Sequence, residues 1–166
     1  MSGKHPGVLV HATAVELRCG QDIAGVLLTG PPGSGKSSLA LALVDQPGLG
    51  LCANGPLITR LVSDDQVSLI RTGPDIVMSA PDTLAGLLEV RGMGIVQLRE
   101  VCPPARLAFV VEHQPAGQQE RLPQAAATNV LGQQVPVFQA DLAAPAAASR
   151  IRVLAQLHWG QLQLVD

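Results

Sequence analysis

The chain contains no tyrosine, and its other aromatic residues are two phenylalanines and one tryptophan. With so few aromatic faces it has little with which to sandwich a purine ring or to stack single-stranded bases. Lysine is almost as scarce: only Lys4 and Lys36 occur, and arginine carries the remaining positive charge. Net charge is −2, with no basic block. That excludes the clustered positive footprint a nucleic-acid partner requires. No apolar run is long enough to span a bilayer, so no membrane partner is expected. The N-terminus "MSGKHPGVLVHATAVELRCG" lacks the apolar stretch and cleavage site of a secretion signal. Cys19, Cys52 and Cys102 are widely separated and form no C-x-x-C pair. They read as reduced, mostly buried thiols of a cytoplasmic protein rather than a disulfide framework or a zinc site.

What is present is an ordinary globular composition. Apolar residues make up 47% of 166 positions, enough for one domain spanning residues 1–166. Residues 8–18, "VLVHATAVELR", read as one or two strands, and "GQD" as a turn. "IAGVLLTG" reads as a buried strand. Residues 36–45, "KSSLALALVD", read as a helix with Leu39, Ala42 and Leu43 on its inner face, ended by "QPGLG". Strands are expected at "LITRLVS", "QVSLIR", "DIVMSA", "RLAFVVEH" and "VPVFQADL". A short helix is expected at "PDTLAGLLEV", with Asp82 after Pro81 as its cap. "RGMGIVQL" should be glycine-punctuated and then extended, residues 114–134 a loop, and "PAAASRIRVLAQLHW" a C-terminal helix.

The most informative short stretch is "TGPPGSGKSS", residues 29–38. It fits G-x-x-x-x-G-K-[ST] and lies between a strand and a helix, the setting of a phosphate-binding loop. Gly30, Pro31, Pro32, Gly33, Ser34, Gly35, Lys36, Ser37 and Ser38 are the candidate binding residues. Backbone N–H groups and the helix N-terminus attract phosphate oxygens. Lys36 is placed to reach the outer phosphates, and the Ser37 hydroxyl to ligate Mg²⁺.

Phosphoryl transfer also needs acids. Asp64 and Asp65 end the strand that follows the loop's helix. They either carry chemistry or only form a turn through an Asx bond. Glu89 sits in the apolar "LLEVRG", where it is either functional or one half of a structural ion pair with Arg91. His11 reads as a strand histidine satisfied within the core. His5, His113 and His158 have no acid or cysteine at metal-ligand spacing.

Four segments resemble the catalytic domain of HPr kinase/phosphorylase, in the short bacterial form that lacks an N-terminal domain: "HATAVEL", "GPPGSGKSS", "LVSDD" and, most specifically, "LLEVRGMGIVQL". Their order and spacing agree over roughly residues 8–113. The resemblance implies an α/β P-loop kinase fold of the phosphoenolpyruvate carboxykinase-like type. In that fold a strand–P-loop–helix core is flanked by β-strands and a C-terminal helix. It implies an ATP-dependent protein-serine kinase. The acceptor is an HPr-like phosphocarrier protein of the phosphotransferase system, and inorganic phosphate reverses the reaction to give pyrophosphate. By position, Lys36 would hold phosphates, Ser37 and Glu89 would hold Mg²⁺, and Asp64 would be the general base. Asp65 and His11 would support Asp64, and Arg91, with Gly92 and Gly94, would lie near the protein acceptor. A homo-oligomer is compatible with the family.

One departure stands out. The tail "VPVFQADLAAPAA" holds no arginine, so the positive charge for the transferred phosphoryl group falls to Arg91 or Arg106. Two other readings compete. A small-molecule P-loop kinase would need an arginine-bearing lid, yet residues 114–134 hold only Arg121. A non-catalytic nucleotide-binding regulator would not need the intact set of Lys36, Ser37, Asp64 and Glu89.

The shortage of aromatics predicts weak discrimination between ATP and GTP. Stacking on an aromatic is worth about 1–3 kcal/mol per base. Calorimetry should therefore find the two nucleotides within about a hundredfold, or about 2.7 kcal/mol. A larger preference for ATP would contradict the loose-base expectation.

Overall fold

The computed structural model describes residues 7–49, 51, 55–120 and 124–165. Lys4, His5, Cys52 and Arg121, discussed above, lie outside these residues. The described chain is α/β, with two helices and a mixed sheet. In chain order the strands are β1 (Val8–His11), β2 (Thr13–Cys19), β3 (Asp22–Thr29), β4 (Ile58–Ser63), β5 (Gln66–Thr72) and β6 (Asp75–Ser79). There follow β7 (Leu87–Val90), β8 (Gly94–Gln97), β9 (Ala105–His113), β10 (Ala126–Val130) and β11 (Gln133–Ala140). Helix α1 (Lys36–Asp45) follows β3, and α2 (Ala147–His158) closes the described chain.

The order β1-β5-β6-β9-β3-β2-β4 places β3 and β9 side by side in parallel. β11 runs parallel to β9 along its later half, and β6 meets the start of β9 antiparallel. The central strands are apolar on both faces because both faces are covered. Val26, Leu28, Phe109 and Val111 belong to a cluster with Leu39, Leu43 and Ile151 of the helices. The alternate residues Leu27 and Val110 belong to a second cluster with Val67, Leu69, Ile76 and Met78 of the β5–β6 hairpin. A strand buried on both sides reads as a continuous apolar run, as "GVLLT" does. Phe109 meets Phe138 edge-on at 5.5 Å.

The parallel strands β3, β9 and β11 end together, at Thr29, His113 and Ala140. Ligand sites in α/β sheets form beyond such carboxyl ends. The chain leaves β3 through the glycine-rich loop and enters α1 there. No side chain caps α1, and its N-cap Gly35 has φ 98°. The first-turn N–H groups are thus left to an external acceptor.

Three expectations need correction. The inner face of α1 carries Lys36, Leu39, Ala40 and Leu43, an i, i+3, i+4, i+7 stripe. Ala42, expected there, is instead exposed. Residues 81–90 are not a helix. Successive turns, Leu84 N to Pro81 O (2.9 Å) and Leu87 N to Leu84 O (3.0 Å), lead to Gly86 at φ 73°. Leu87–Val90 then pairs with Gly94–Gln97 as a hairpin. The leucines at 84, 87 and 88 imitate a helical stripe, but only Leu88 is fully buried. Within 114–134, Ala126–Val130 forms a strand instead of loop. "AATNV" has no apolar alternation, and its pairing with β11 across the Leu131–Gly132 turn makes it a strand.

The facing of α1 gives a stability test. Ala40→Leu should overpack the core and lose about 1–3 kcal/mol. Ala42→Leu should stay within about 0.5 kcal/mol of wild type. Urea denaturation of the two variants measures both.

Candidate functional site

The loop between β3 and α1 forms one wall of a cleft of about 660 Å³. Pro32, Gly33, Gly35, Lys36, Ser37 and Ser38 line it from the loop. The start of α2 and the preceding turn, through Leu142, Ala144, Pro145 and Ala148, form the facing wall. His11, Thr13, Asp65, Glu89 and Arg91 complete it. No tyrosine, phenylalanine or tryptophan is among its lining residues.

Two glycines explain the loop's shape. A Cβ on Gly30 would lie 2.6 Å from the Cβ of His113 and 2.8 Å from Ser34 Oγ, so no side chain fits. Gly33, at φ 80°, has open space before it, and the nearest atom to a Cβ there would be Arg91 Nη2 at 3.9 Å. An anion can approach the backbone at that point with a guanidinium already alongside. Lys36 Nζ donates to the carbonyls of Gly30 (2.8 Å) and Pro31 (3.0 Å), closing the loop on itself. Burial lowers its pKa, while Asp64 and Asp65 pull in the opposite direction. Ser34 is turned inward, and its buried hydroxyl has no partner among the described residues.

The two adjacent aspartates are separated by a single backbone feature. Asp65 has φ 69°, a left-handed conformation that aspartate tolerates better than most residues. Asp64 is buried. Its Oδ1 accepts hydrogen bonds from Thr13 Oγ1 (2.7 Å) and Ser37 Oγ (2.8 Å), and its Oδ2 from the Glu89 N–H (3.3 Å). Asp65 has a side chain 64% exposed and faces the cleft, with His11 Nδ1 3.2 Å from its Oδ1. His11 is therefore not a core histidine; its side chain is 51% exposed.

Glu89 and Arg91 lie on the β7–β8 hairpin, and both face the cleft. They form no ion pair with each other among the described residues. Arg106, the other candidate for the missing tail charge, pairs with Asp75 at 3.4 Å on β6, away from the cleft. The cleft thus gathers ten of the expected residues: His11, Pro32, Gly33, Gly35, Lys36, Ser37, Ser38, Asp65, Glu89 and Arg91. Gly30, Pro31, Ser34 and Asp64 are not among the lining residues; Ser34 and Asp64 are buried and Pro31 is exposed.

Thr13 was not anticipated. Its buried hydroxyl holds Asp64, and the only signal was its place in "HATAVEL". The Leu142–Ala148 wall gives no sequence signal beyond small residues. It is fixed to the loop by contact: a Cβ on Gly35 would sit 3.2 Å from the backbone of Leu142 and Ala143. His113 Nδ1 accepts a hydrogen bond from Leu142 N (3.3 Å) on the same side.

The profile of the HPr Serine kinase C-terminal domain matches residues 8–144. The chain belongs to this family. An HPr kinase/phosphorylase of Stenotrophomonas maltophilia (strain K279a) is 37% identical over 97 residues, 58% of this chain. One from Burkholderia cenocepacia (strain HI2424) is 38% identical over 118 residues, 65% of this chain. These alignments span only 26% and 33% of the two relatives' own lengths. Among solved structures, the HPr(Ser) kinase/phosphatase from Coxiella burnetii superposes with a TM-score of 0.71. It is 23% identical, with 93% of this chain and 97% of that chain covered, so the fold is shared. No helix among the described residues is long and apolar enough to cross a membrane.

The asymmetry of the aspartates predicts unequal effects on stability. Asp64→Ala strands the buried Thr13 hydroxyl and should lose about 1–3 kcal/mol. Asp65→Gly removes an exposed side chain from a conformation glycine adopts freely and should not destabilise the protein. Chemical denaturation of the two variants distinguishes them.

Proposed function

We propose that this chain is an ATP-dependent protein-serine kinase that also runs the reverse, phosphate-dependent reaction. Its acceptor would be a small HPr-like phosphocarrier protein in the cytoplasm. The observation that carries the reading is the convergence of the phosphate loop, Asp65–His11, Glu89 and Arg91 on one cleft. Family membership supports the same conclusion. We also read the fold as the type related to phosphoenolpyruvate carboxykinase, from its strand–loop–helix order, and residues 1–166 as one domain. The buried thiol of Cys102 fits a reducing compartment.

Mg²⁺ prefers oxygen ligands and retains waters, with one or two protein groups and substrate phosphates completing its shell. Ser37 Oγ and the Glu89 carboxylate are such oxygens in one cleft, so the donor set fits. The ion, when bound, neutralises charge on the phosphates. Lys36 would leave the loop carbonyls for the outer phosphates, and the N–H groups of residues 33–37 would hold the chain of phosphates. Arg91 would offset charge that develops on the transferred group.

The resemblance gives the proton to Asp64. The hydrogen bonds favour a different division. Both oxygens of Asp64 already accept from Thr13, Ser37 and Glu89, which suits a residue that orients Ser37. Asp65 faces the cleft and has His11 to hold it. We therefore assign the proton transfer to Asp65. In the forward direction Asp65 takes the serine hydroxyl proton while that oxygen bonds to the γ-phosphorus. The bond from phosphorus to the β-phosphate oxygen breaks, and the nucleoside diphosphate leaves. In reverse, an oxygen of inorganic phosphate attacks the phosphoserine phosphorus, the bond from phosphorus to the serine oxygen breaks, pyrophosphate leaves, and Asp65 passes the proton lost by the attacking phosphate to the departing serine oxygen. The same group must serve both directions.

Transfer of radiolabel from γ-labelled ATP to the cognate phosphocarrier tests the function directly; no transfer under any nucleotide or Mg²⁺ condition would contradict it. Asp65→Asn should lose about 10²–10⁴-fold in turnover in both directions, the usual range for general acid–base catalysis. It should keep nucleotide affinity. Lys36→Ala should remain folded and lose nucleotide binding in calorimetry. Glu89→Gln should raise the Mg²⁺ concentration needed for half-maximal turnover. Wild-type turnover by Asp65→Asn would return the proton to Asp64.

A further inference from the structure

A second groove lies on the opposite face of the central sheet from α1. It has a volume of about 310 Å³, at the lower end of small-molecule sites. Its walls are aliphatic: Val8 and Val10 of β1, Leu27 of β3, Val110 of β9, Val137 of β11 and Leu131 of the β10–β11 turn. One charged residue faces it, Glu112, with Thr29, Thr128 and Asn129 as its polar companions. The Glu112 side chain makes no hydrogen bond or ion pair among the described residues. The positive charge on the adjoining strand is directed elsewhere. Arg71 donates to the carbonyls of Leu131 (3.2 Å) and Gly73 (3.3 Å).

The wall is held in place in an uncommon way. Leu131 adopts φ 48° in the turn that Arg71 anchors. A branched aliphatic residue seldom takes this left-handed conformation, yet here it supplies an apolar surface to the groove. An aliphatic trough with one unpaired carboxylate has a defined chemical complement: an organic cation with a short apolar body. The apolar part displaces water from the valines and leucines, and the cationic head answers Glu112.

We infer that this groove is a binding site for a small alkylammonium-type ligand, separate from the phosphate cleft. It adjoins that cleft through the chain. Thr29 lines the groove and immediately precedes Gly30. Glu112 pairs in register with Thr29, and its neighbour His113 packs against Gly30. The site stands independently of the reaction assigned above.

The test is an NMR titration of the full chain with hexylammonium, hexanol and hexanoate as probes. Hexylammonium should shift the amides of Thr29, Val110, Leu131 and Val137, and saturate. Hexanol should bind at least tenfold more weakly, and hexanoate not at all. Glu112→Gln should weaken hexylammonium at least tenfold; Glu112 is exposed and unpaired, so the fold should be unaffected. Val8→Trp, at the exposed rim, should block both hexylammonium and hexanol. Equal binding of hexylammonium and hexanol, indifference to Glu112→Gln, or shifts confined to other surfaces would each overturn the inference. Because the readout needs neither ATP nor phosphocarrier, its failure would leave the kinase reading untouched, and the converse holds.

Discussion

The site depends on one buried carboxylate. Asp64 receives hydrogen bonds from β2 through Thr13, from the first turn of α1 through Ser37, and from the β7–β8 hairpin through the Glu89 N–H. Three elements that are distant in sequence are fixed to one another by these contacts. A buried acid must be satisfied in this way or carry a large desolvation penalty. The same bonds that make Asp64 tolerable in the interior therefore set the distance between the phosphate loop and the hairpin that bears Glu89 and Arg91. Asp65, one residue later, can face the cleft because its left-handed backbone turns it away from Asp64.

The cleft is built with few charges and with no aromatic residue in its lining. Lys36, the lone lysine among the described residues, is tucked against the carbonyls of Gly30 and Pro31, where burial lowers its pKa. Arg91 lies alongside Gly33, and no other arginine lines the cleft. The facing wall consists of small aliphatic residues.

Much of this was legible in the sequence, and the failures have physical causes. The strand, glycine-rich loop and helix of residues 22–45 could be read because glycine spacing and flanking elements are all local. The central strands could be read because burial on both faces demands uninterrupted apolar runs. The stretch 81–90 misled because leucine spacing is ambiguous over three positions, and the decision rested on Gly86 and on pairing with β8. β10 was invisible because small residues carry no period, so only its partner β11 defines it. The residues of "SDD" alone do not divide Asp64 from Asp65, and the resemblance gave the general base to Asp64. The difference between them is one backbone angle and the donors brought by Thr13 and Ser37, and neither is encoded in "SDD" itself. Thr13 is the general case: a residue that acts through another leaves no local pattern.

The central claim is that Asp64 is a structural node holding Ser37, while Asp65 is free to act. A double-mutant cycle on the free protein tests it most directly. Ser37→Ala and Asp64→Ala are made singly and together, and stability is measured by chemical denaturation, with Ser37→Ala and Asp65→Ala as the companion cycle. The account predicts a coupling of about 0.5–3 kcal/mol for the first pair, as for residues that share a hydrogen bond, and additivity within about 0.3–0.5 kcal/mol for the second. Additivity of Ser37 and Asp64, or coupling of Ser37 to Asp65 instead, would contradict it.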